Sequence, residues 1–229
     1  MNDRMPCRAR GPVCVFLGVF ALTAAAWGAS YYVDVNYAGP GSGAVNDPFN
    51  TLGAALAASN ANHVAWSGVH NTIYVADGTY TSTLNGGLED FGANGLAISG
   101  ASRSATIIRG GYVGADGGGG FDWTEAGRVL RTTVIDLANA GTRALYSDGT
   151  MNRAHDVVDG ITFRNANHTL TGGAVSLGGG GYAAGATITN CLFENNVTTG
   201  GGGGAYVRGV YESGQPYVQD CDFINVESE

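Results

Sequence analysis

The segments VDGITFRN (158–165), ITNCLFEN (188–195) and VQDCDFIN (218–225) align without gaps at a spacing of 30 residues. The matched columns are Val158/Ile188/Val218, Ile161/Cys191/Cys221, Phe163/Phe193/Phe223 and Asn165/Asn195/Asn225. Within each segment the Ile/Cys and Phe positions are two apart, so an extended backbone puts both side chains on one face. Thr162, Leu192 and Asp222 lie between them and vary, as an outward face allows. One such segment per period predicts a coil that returns to lie over its predecessor. Parallel strands then sit about 4.8 Å apart, with like side chains stacked on like.

That pattern predicts an all-β chain, a right-handed parallel β-helix solenoid with an N-terminal capping helix. Its structural ladder comprises Ile161, Cys191 and Cys221, Phe163, Phe193 and Phe223, and Asn165, Asn195 and Asn225. The phenylalanines form an internal stack. The cysteines fill a small apolar slot beside them, since buried reduced cysteine behaves as a small hydrophobe. A Cys191–Cys221 disulfide between adjacent coils is the alternative for that pair. The asparagines end each strand, where the side chain tolerates a left-handed corner and stacked amides can bond from coil to coil.

A looser echo, GGAV (172–175) against GGAY (203–206), recurs at 31 residues and predicts a further strand entered through a glycine corner. The glycine runs 178–181 and 200–204 read as flexible loops, with no following helix or Lys-Ser/Thr pair to make a phosphate cradle. Upstream, 72–76, 96–98, 106–108 and 133–135 are short β-rich runs of less regular coils. Residues 110–124, with Tyr112, Phe121 and Trp123, read as an inserted surface loop. Asp47 as N-cap, Pro48 in the first turn, then Phe49, Leu52, Ala55 and Leu56 predict one amphipathic helix reaching about Ser59. It is suited to cover the open end of the first coil.

Composition restricts the function classes. Charged residues make up only 13% of the chain, against about 25% in ordinary domains, and 39 glycines help to supply the polar surface. Every basic residue is arginine, and the net charge is −8. No basic stripe relieves that charge, which excludes nucleic acid and anionic lipid as partners. Residues 1–28 read as a secretory signal: Arg4, Arg8 and Arg10 precede an apolar stretch from Val13 to Ala26, and Ala26-Trp27-Gly28 supplies the small residues of a cleavage site. The apolar stretch is short of the roughly 20 residues a membrane span needs, so no membrane insertion is expected once the signal is removed. Cys7 and Cys14 leave with it. The domain reading is therefore signal 1–28, entry strand and capping helix 29–70, and β-helix coils 71–229. The last matched strand stops four residues before Glu229, which predicts that the coils continue in a longer protein.

The opening Tyr31-Tyr32-Val33-Asp34, the stretch Asn46-Asp47-Pro48-Phe49-Asn50-Thr51-Leu52 and the stretch Thr72-Ile73-Tyr74-Val75-Ala76-Asp77-Gly78-Thr79-Tyr80 resemble the N-terminal entry of the pectate-lyase-like β-helix superfamily. The Gly-Gly-Ala and Cys191-Leu192-Phe193-Glu194-Asn195-Asn196 patterns are similar to repeats of chlamydial polymorphic outer-membrane proteins. The resemblance covers about residues 31–229 and implies the fold far more than the function, since that fold hosts lyases, hydrolases, esterases and adhesins.

Lyases of that superfamily use calcium-binding acids and an Arg or Lys base on an outer face. Without lysine, only arginine remains for that role here, and Arg164 with Asp159 is the nearest pair. Asp156, Asp159, Asp220 and Asp222 fall in different columns, which suits solubility and turns better than a hard-cation cage. His63, His70, His155 and His168 are scattered, so no zinc cluster or triad is assembled on spacing. No catalytic residue, ligand-binding residue, metal site or cofactor is assigned, and calcium enters only with a lyase. The expectation is a secreted or cell-surface repeat protein with a structural, adhesion or glycan-binding role, non-enzymatic in this stretch, whose partner is a polysaccharide or cell-surface glycan. The alternative is the N-terminal part of a calcium-dependent polysaccharide lyase. Tyr112, Trp123, Tyr182 and Tyr211 are the aromatics available for sugar stacking or for packing on the flank.

Overall fold

The computed structural model describes residues 28–63, 70–98, 105–115, 120–147, 156–177, 186–207 and 217–228. The signal segment 1–27, the glycine run 178–181, His155, Tyr182 and Tyr211 lie outside the described residues. The chain is predominantly β, with parallel sheets and, among the described residues, a single α-helix.

It enters as β1 (Ser30–Val33), forms α1 (Leu52–Ala61), then lays down β2 (His70–Ala76), β3 (Gly78–Thr81), β4 (Leu96–Ile98) and β5 (Ala105–Tyr112). Next come β6 (Thr133–Asp136), β7 (Leu145–Ser147), β8 (Val157–Asp159), β9 (Ile161–Arg164), β10 (Asn167–His168) and β11 (Val175–Leu177). The remaining strands are β12 (Thr187–Thr189), β13 (Leu192–Glu194), β14 (Val197–Thr198), β15 (Ala205–Val207), β16 (Tyr217–Gln219), β17 (Asp222–Ile224) and β18 (Glu227–Ser228). The first sheet runs β1-β2-β5-β8-β12-β16, the second β3-β6-β9-β13-β17 and the third β4-β7-β11-β15, with β10-β14-β18 a narrow fourth. Each pass of the chain visits these sheets in turn and returns beside its own earlier strand, an arrangement compatible with a β-helix-like solenoid.

Register follows the sequence columns. Ile188 lies between Val158 and Val218, and Phe193 lies between Phe163 and Phe223. The phenylalanine rings stack nearly flat, with centroids 5.3 Å apart for Phe163–Phe193 and 4.9 Å for Phe193–Phe223. Ile161 and Cys191 are fully buried beside them, and Cys221 is half-buried. Asn165, Asn195 and Asn225 take φ values of 56°, 52° and 51°. The Asn225 amide donates to Asn195 Oδ1 at 3.0 Å, and the Asn165 amide to Asp136 Oδ1 at 2.9 Å. A second left-handed column, Gly160, Asn190 and Asp220, turns the chain from the first sheet to the second. Only residues of this kind enter that backbone region at little cost. Buried Asn196 knits the coils from inside, accepting from Ala166 N at 2.9 Å and donating to Phe163 O at 3.0 Å.

Several expectations need correction. The glycine echo is not at 31 residues: Val175 pairs with Ala205 and Ser176 with Tyr206, the same 30-residue step as elsewhere. The position of Ala174 is therefore held by Gly204. A Cβ there would come within 3.0 Å of both Phe193 and the Phe223 ring, so glycine makes room for the stack. The run 200–204 is a bonded corner rather than a flexible loop, because Gly172 N and Gly173 N donate to Gly201 O and Gly202 O. Thr162 is buried, and its hydroxyl donates to Arg131 O at 2.9 Å. The stretch from Gly110 to Tyr112 belongs to β5, and Tyr112 is buried.

The helix also starts later than expected. Thr51 is its N-cap, with Oγ1 accepting from Ala54 N at 3.3 Å, while Asp47 instead accepts from the Tyr37 hydroxyl at 2.7 Å. The first-turn amides, left without intrahelical partners, find a distant carboxylate: Leu52 N and Gly53 N donate to Glu89 at 2.6 and 2.8 Å. Leu52, Ala55 and Leu56 are buried, and the helix packs on β1, β2 and β4. Among the described residues no helix is long and apolar enough to cross a membrane.

Candidate functional site

Alternation along the strands of the first sheet sends Ile73, Ile108, Val158 and Ile188 inward, where each is fully buried. Their neighbours face outward and form columns. Tyr32, Tyr74, Arg109, Asp159 and Thr189 stand in successive register across β1, β2, β5, β8 and β12. Thr72, Ile107 and Val157 form the column beside them, and with Tyr74, Arg109, Asp159 and Thr189 they line an open cleft of about 440 Å³.

One end of this face is aromatic. Tyr32 stacks on Tyr74 at 5.2 Å between centroids with 13° between planes, and Trp123 tilts over Tyr32 at 5.0 Å. Trp123 stacks on Phe121 at 5.5 Å, and its indole N–H donates to Val45 O at 3.1 Å. Tyr74 meets the edge of Tyr112 at 5.2 Å. Tyr112, in β5, and Trp123 therefore join two further strand tyrosines rather than standing free on a loop. Tyr32, Tyr74 and Trp123 are half-buried, which leaves part of their surface to a flat apolar partner.

The other end is ionic. Arg109 Nη1 donates to Glu125 Oε1 at 2.6 Å, and its Nε lies 3.5 Å from Asp159 Oδ2. Arg128 sits behind, donating to Gly110 O at 2.7 Å and to Asp159 Oδ2 at 2.8 Å, with its guanidinium carbon 5.4 Å from the centre of the Tyr112 ring. Asp159 also accepts from Asn190 Nδ2 at 2.8 Å and from Thr189 Oγ1 at 3.0 Å. Burial alone would raise the Asp159 carboxyl, but the hydrogen bonds from Asn190 and Arg128 and the Arg128 charge outweigh it and hold it below the ordinary range. Burial, then the hydrogen bond to Glu125, raises the Tyr112 phenol, so Tyr112 stays a neutral donor at 2.6 Å from that carboxylate.

The structure does not bring Arg164 to Asp159. Arg164 leaves from the second sheet and pairs with Asp136 at 2.8 Å. The arginines beside Asp159 are Arg109 and Arg128, which spacing concealed: Arg109 reaches its register partner Asp159 only after a long excursion through β6 and β7. The acids considered for a cation do not converge. Asp156 accepts from Thr106 N at 2.9 Å, Asp222 pairs with Arg131, and among the described residues no three or more His, Cys, Asp or Glu gather as a metal site. Among the described residues these acids do not converge on the six or more oxygens that a calcium ion takes. His168 is buried, with Nδ1 accepting from Leu170 N at 3.1 Å, and His63 Nε2 lies 3.5 Å from Thr106 Oγ1. Neither stands in the cleft.

Comparison of the chain with models of known families, with curated proteins and with solved structures finds no match.

Proposed function

We propose that this chain is a right-handed parallel β-helix protein of the pectate-lyase-like kind, secreted or displayed at the cell surface, that binds glycan along the outer face of its first sheet. The observation that carries this reading is the outward column Tyr32-Tyr74-Arg109-Asp159-Thr189, whose members from Tyr74 to Thr189 line an open cleft, with Trp123 tilted over Tyr32 beyond it. Aromatic faces pack on the apolar face of a sugar ring, while nearby hydroxyl, carboxylate and guanidinium groups satisfy its hydroxyls. Parallel in-register strands suit an extended chain, because they repeat the same contacts at a constant step.

Charge favours a neutral glycan. Arg109 and Arg128 are matched by Glu125 and Asp159, so the cleft has no cationic excess for a polyuronate, and the chain as a whole carries −8. The same pairing speaks against the calcium-dependent lyase, since the cleft acid Asp159 is already engaged by Arg128, Asn190 and Thr189.

The test is titration of the purified protein with neutral and uronate oligosaccharides, followed by calorimetry. Binding of a neutral glycan that weakens in Tyr74→Ala and Trp123→Ala supports the reading. Binding that both variants leave untouched would remove the cleft from it. Calcium-dependent release of unsaturated uronate products would replace it with the lyase.

A further inference from the structure

We infer that Cys191 and Cys221 form a modification site, a thiol pair built to close as a disulfide between neighbouring coils. Both are free thiols here, 30 residues apart, each immediately before one of two strands that pair in register. Asp222 N donates to Cys191 O at 3.0 Å, which locks the two backbones side by side. In-register parallel neighbours lie about 4.8 Å apart, inside the Cα separation of about 4.4–6.8 Å that a disulfide spans. The side chains adopt the same pose. Cys191 Sγ lies 3.1 Å from Thr189 O and 3.8 Å from Val158 O, and Cys221 Sγ lies 3.2 Å from Gln219 O and 3.7 Å from Ile188 O, so each thiol meets the equivalent carbonyls one step along. Closing the bond therefore calls for side-chain rotation between two backbones that already lie side by side.

The environments separate two roles. Cys221 is half-buried, and the hydrogen bond from Cys191, with the Arg131 charge adding to it, lowers its thiol to about 7. Cys191 is fully buried, and burial pushes its thiol up. The oxidant is an external disulfide, a small molecule or a protein. The Cys221 thiolate attacks one of its sulfurs, forming a mixed disulfide and releasing one thiolate. Cys191 then gives up its proton and attacks Cys221 Sγ, forming the Cys191–Cys221 bond and releasing the second thiolate. The two cysteines are oxidised by two electrons, the external disulfide is reduced to two thiols, and the two cysteine protons go to those leaving groups.

The experiment equilibrates the folded full-length chain with a glutathione redox buffer, quenches with acid and maps linked peptides by mass spectrometry. The expected result is a Cys191–Cys221 crosslink lighter by two hydrogens, with slower unfolding in urea than the reduced protein. Cys191→Ser should instead stop at a glutathione adduct on Cys221, and Cys221→Ser should form no adduct on Cys191 while folded. Both thiols remaining free to alkylation in denaturant after oxidation would overturn the proposal. So would a persistent glutathione adduct on Cys221 in the unsubstituted protein.

Discussion

Arg128 holds Asp159 twice: its Nη1 lies 2.8 Å from the carboxylate and its Nη2 donates to the Asp159 main-chain carbonyl at 3.1 Å. Both side chains are under a tenth exposed, at 7% and 8%. A segment far from β8 in sequence is thereby fastened across the face of the first sheet, and the floor of the cleft is set by that contact.

Removing the cation alone should be worse than removing both charges. Arg128→Ala leaves Asp159 buried with neutral donors and only the more distant Arg109 as cation, and breaking a buried pair on one side costs about 3–5 kcal/mol. Arg128→Met with Asp159→Asn should recover most of that loss. Urea unfolding of the single and double variants measures the difference.

The phenylalanine ladder should grade by burial. Phe193→Ala empties a fully buried site flanked by rings on both sides and should cost about 3–5 kcal/mol. Phe223 is 49% exposed, so Phe223→Ala should cost about half as much or less. Equal losses would mean that the rings do not stack as described.

Gly160 offers a sharper contrast. Its column accepts Asn at 190 and Asp at 220, so the backbone conformation tolerates Asn, yet a Cβ on Gly160 would come within 2.4 Å of Arg128 Nη2. Gly160→Asn should therefore destabilise the protein by about 1–3 kcal/mol, in the range of an overpacked site. Most of that effect should vanish in an Arg128→Ala background, which a double-mutant cycle in urea detects.

Acid sensitivity should come from two aspartates. At Asp136, burial raises the carboxyl, but the Asn165 amide, the Ala138 amide and Arg164 more than offset it, so like Asp159 it is held below 3.8. Their stabilising contribution is present above that value and is lost as pH falls through the lowered folded-state values. Glu89 runs the other way: burial raises its carboxyl above 4.5 despite the Gly53 and Leu52 amides, so its contribution is fully present below 4.5 and lost as pH rises through the raised value. Stability measured against pH should fall at the acid end, and Asp136→Asn should flatten that limb. Glu89→Gln should flatten the opposite limb.

On the outer face of the first sheet, Trp123→Ala should weaken glycan binding by about tenfold, the scale of one lost ring contact. Thermal unfolding should fall as well, because Trp123 packs on Tyr32 and Phe121 and bonds Val45 O, so binding is read well below the melting transition. Fluorescence titration beside a melting curve separates the two effects.

The later coils were legible because identical residue types recur at fixed distance: Phe163, Phe193 and Phe223 declare both the strand and its neighbour. The corner column Gly160, Asn190 and Asp220 was equally present, but three different residues share one backbone need, and matching by identity passes over it. The glycine echo misled by one residue because Gly204 replaces an alanine for the sake of the ring stack. The cleft was the least legible part. Its aromatic half joins Tyr32 and Tyr74 to Trp123, and its ionic half joins Arg109 and Arg128 to Asp159, contacts made between irregular early coils and a long excursion. Nor could spacing foresee Glu89, which serves α1 from well beyond it in the chain.

The constant step between stacked strands also governs how such a gene can change. An insertion of an odd number of residues inside a strand would turn the inward side chains beyond it in that strand outward, whereas the addition or loss of one whole repeat returns Val158, Phe163 and Asn165 to equivalent neighbours. Length in this architecture is inherited in units. Unequal recombination between its repeats would yield proteins of different height with the same cross-section, while novelty of shape is confined to the corners.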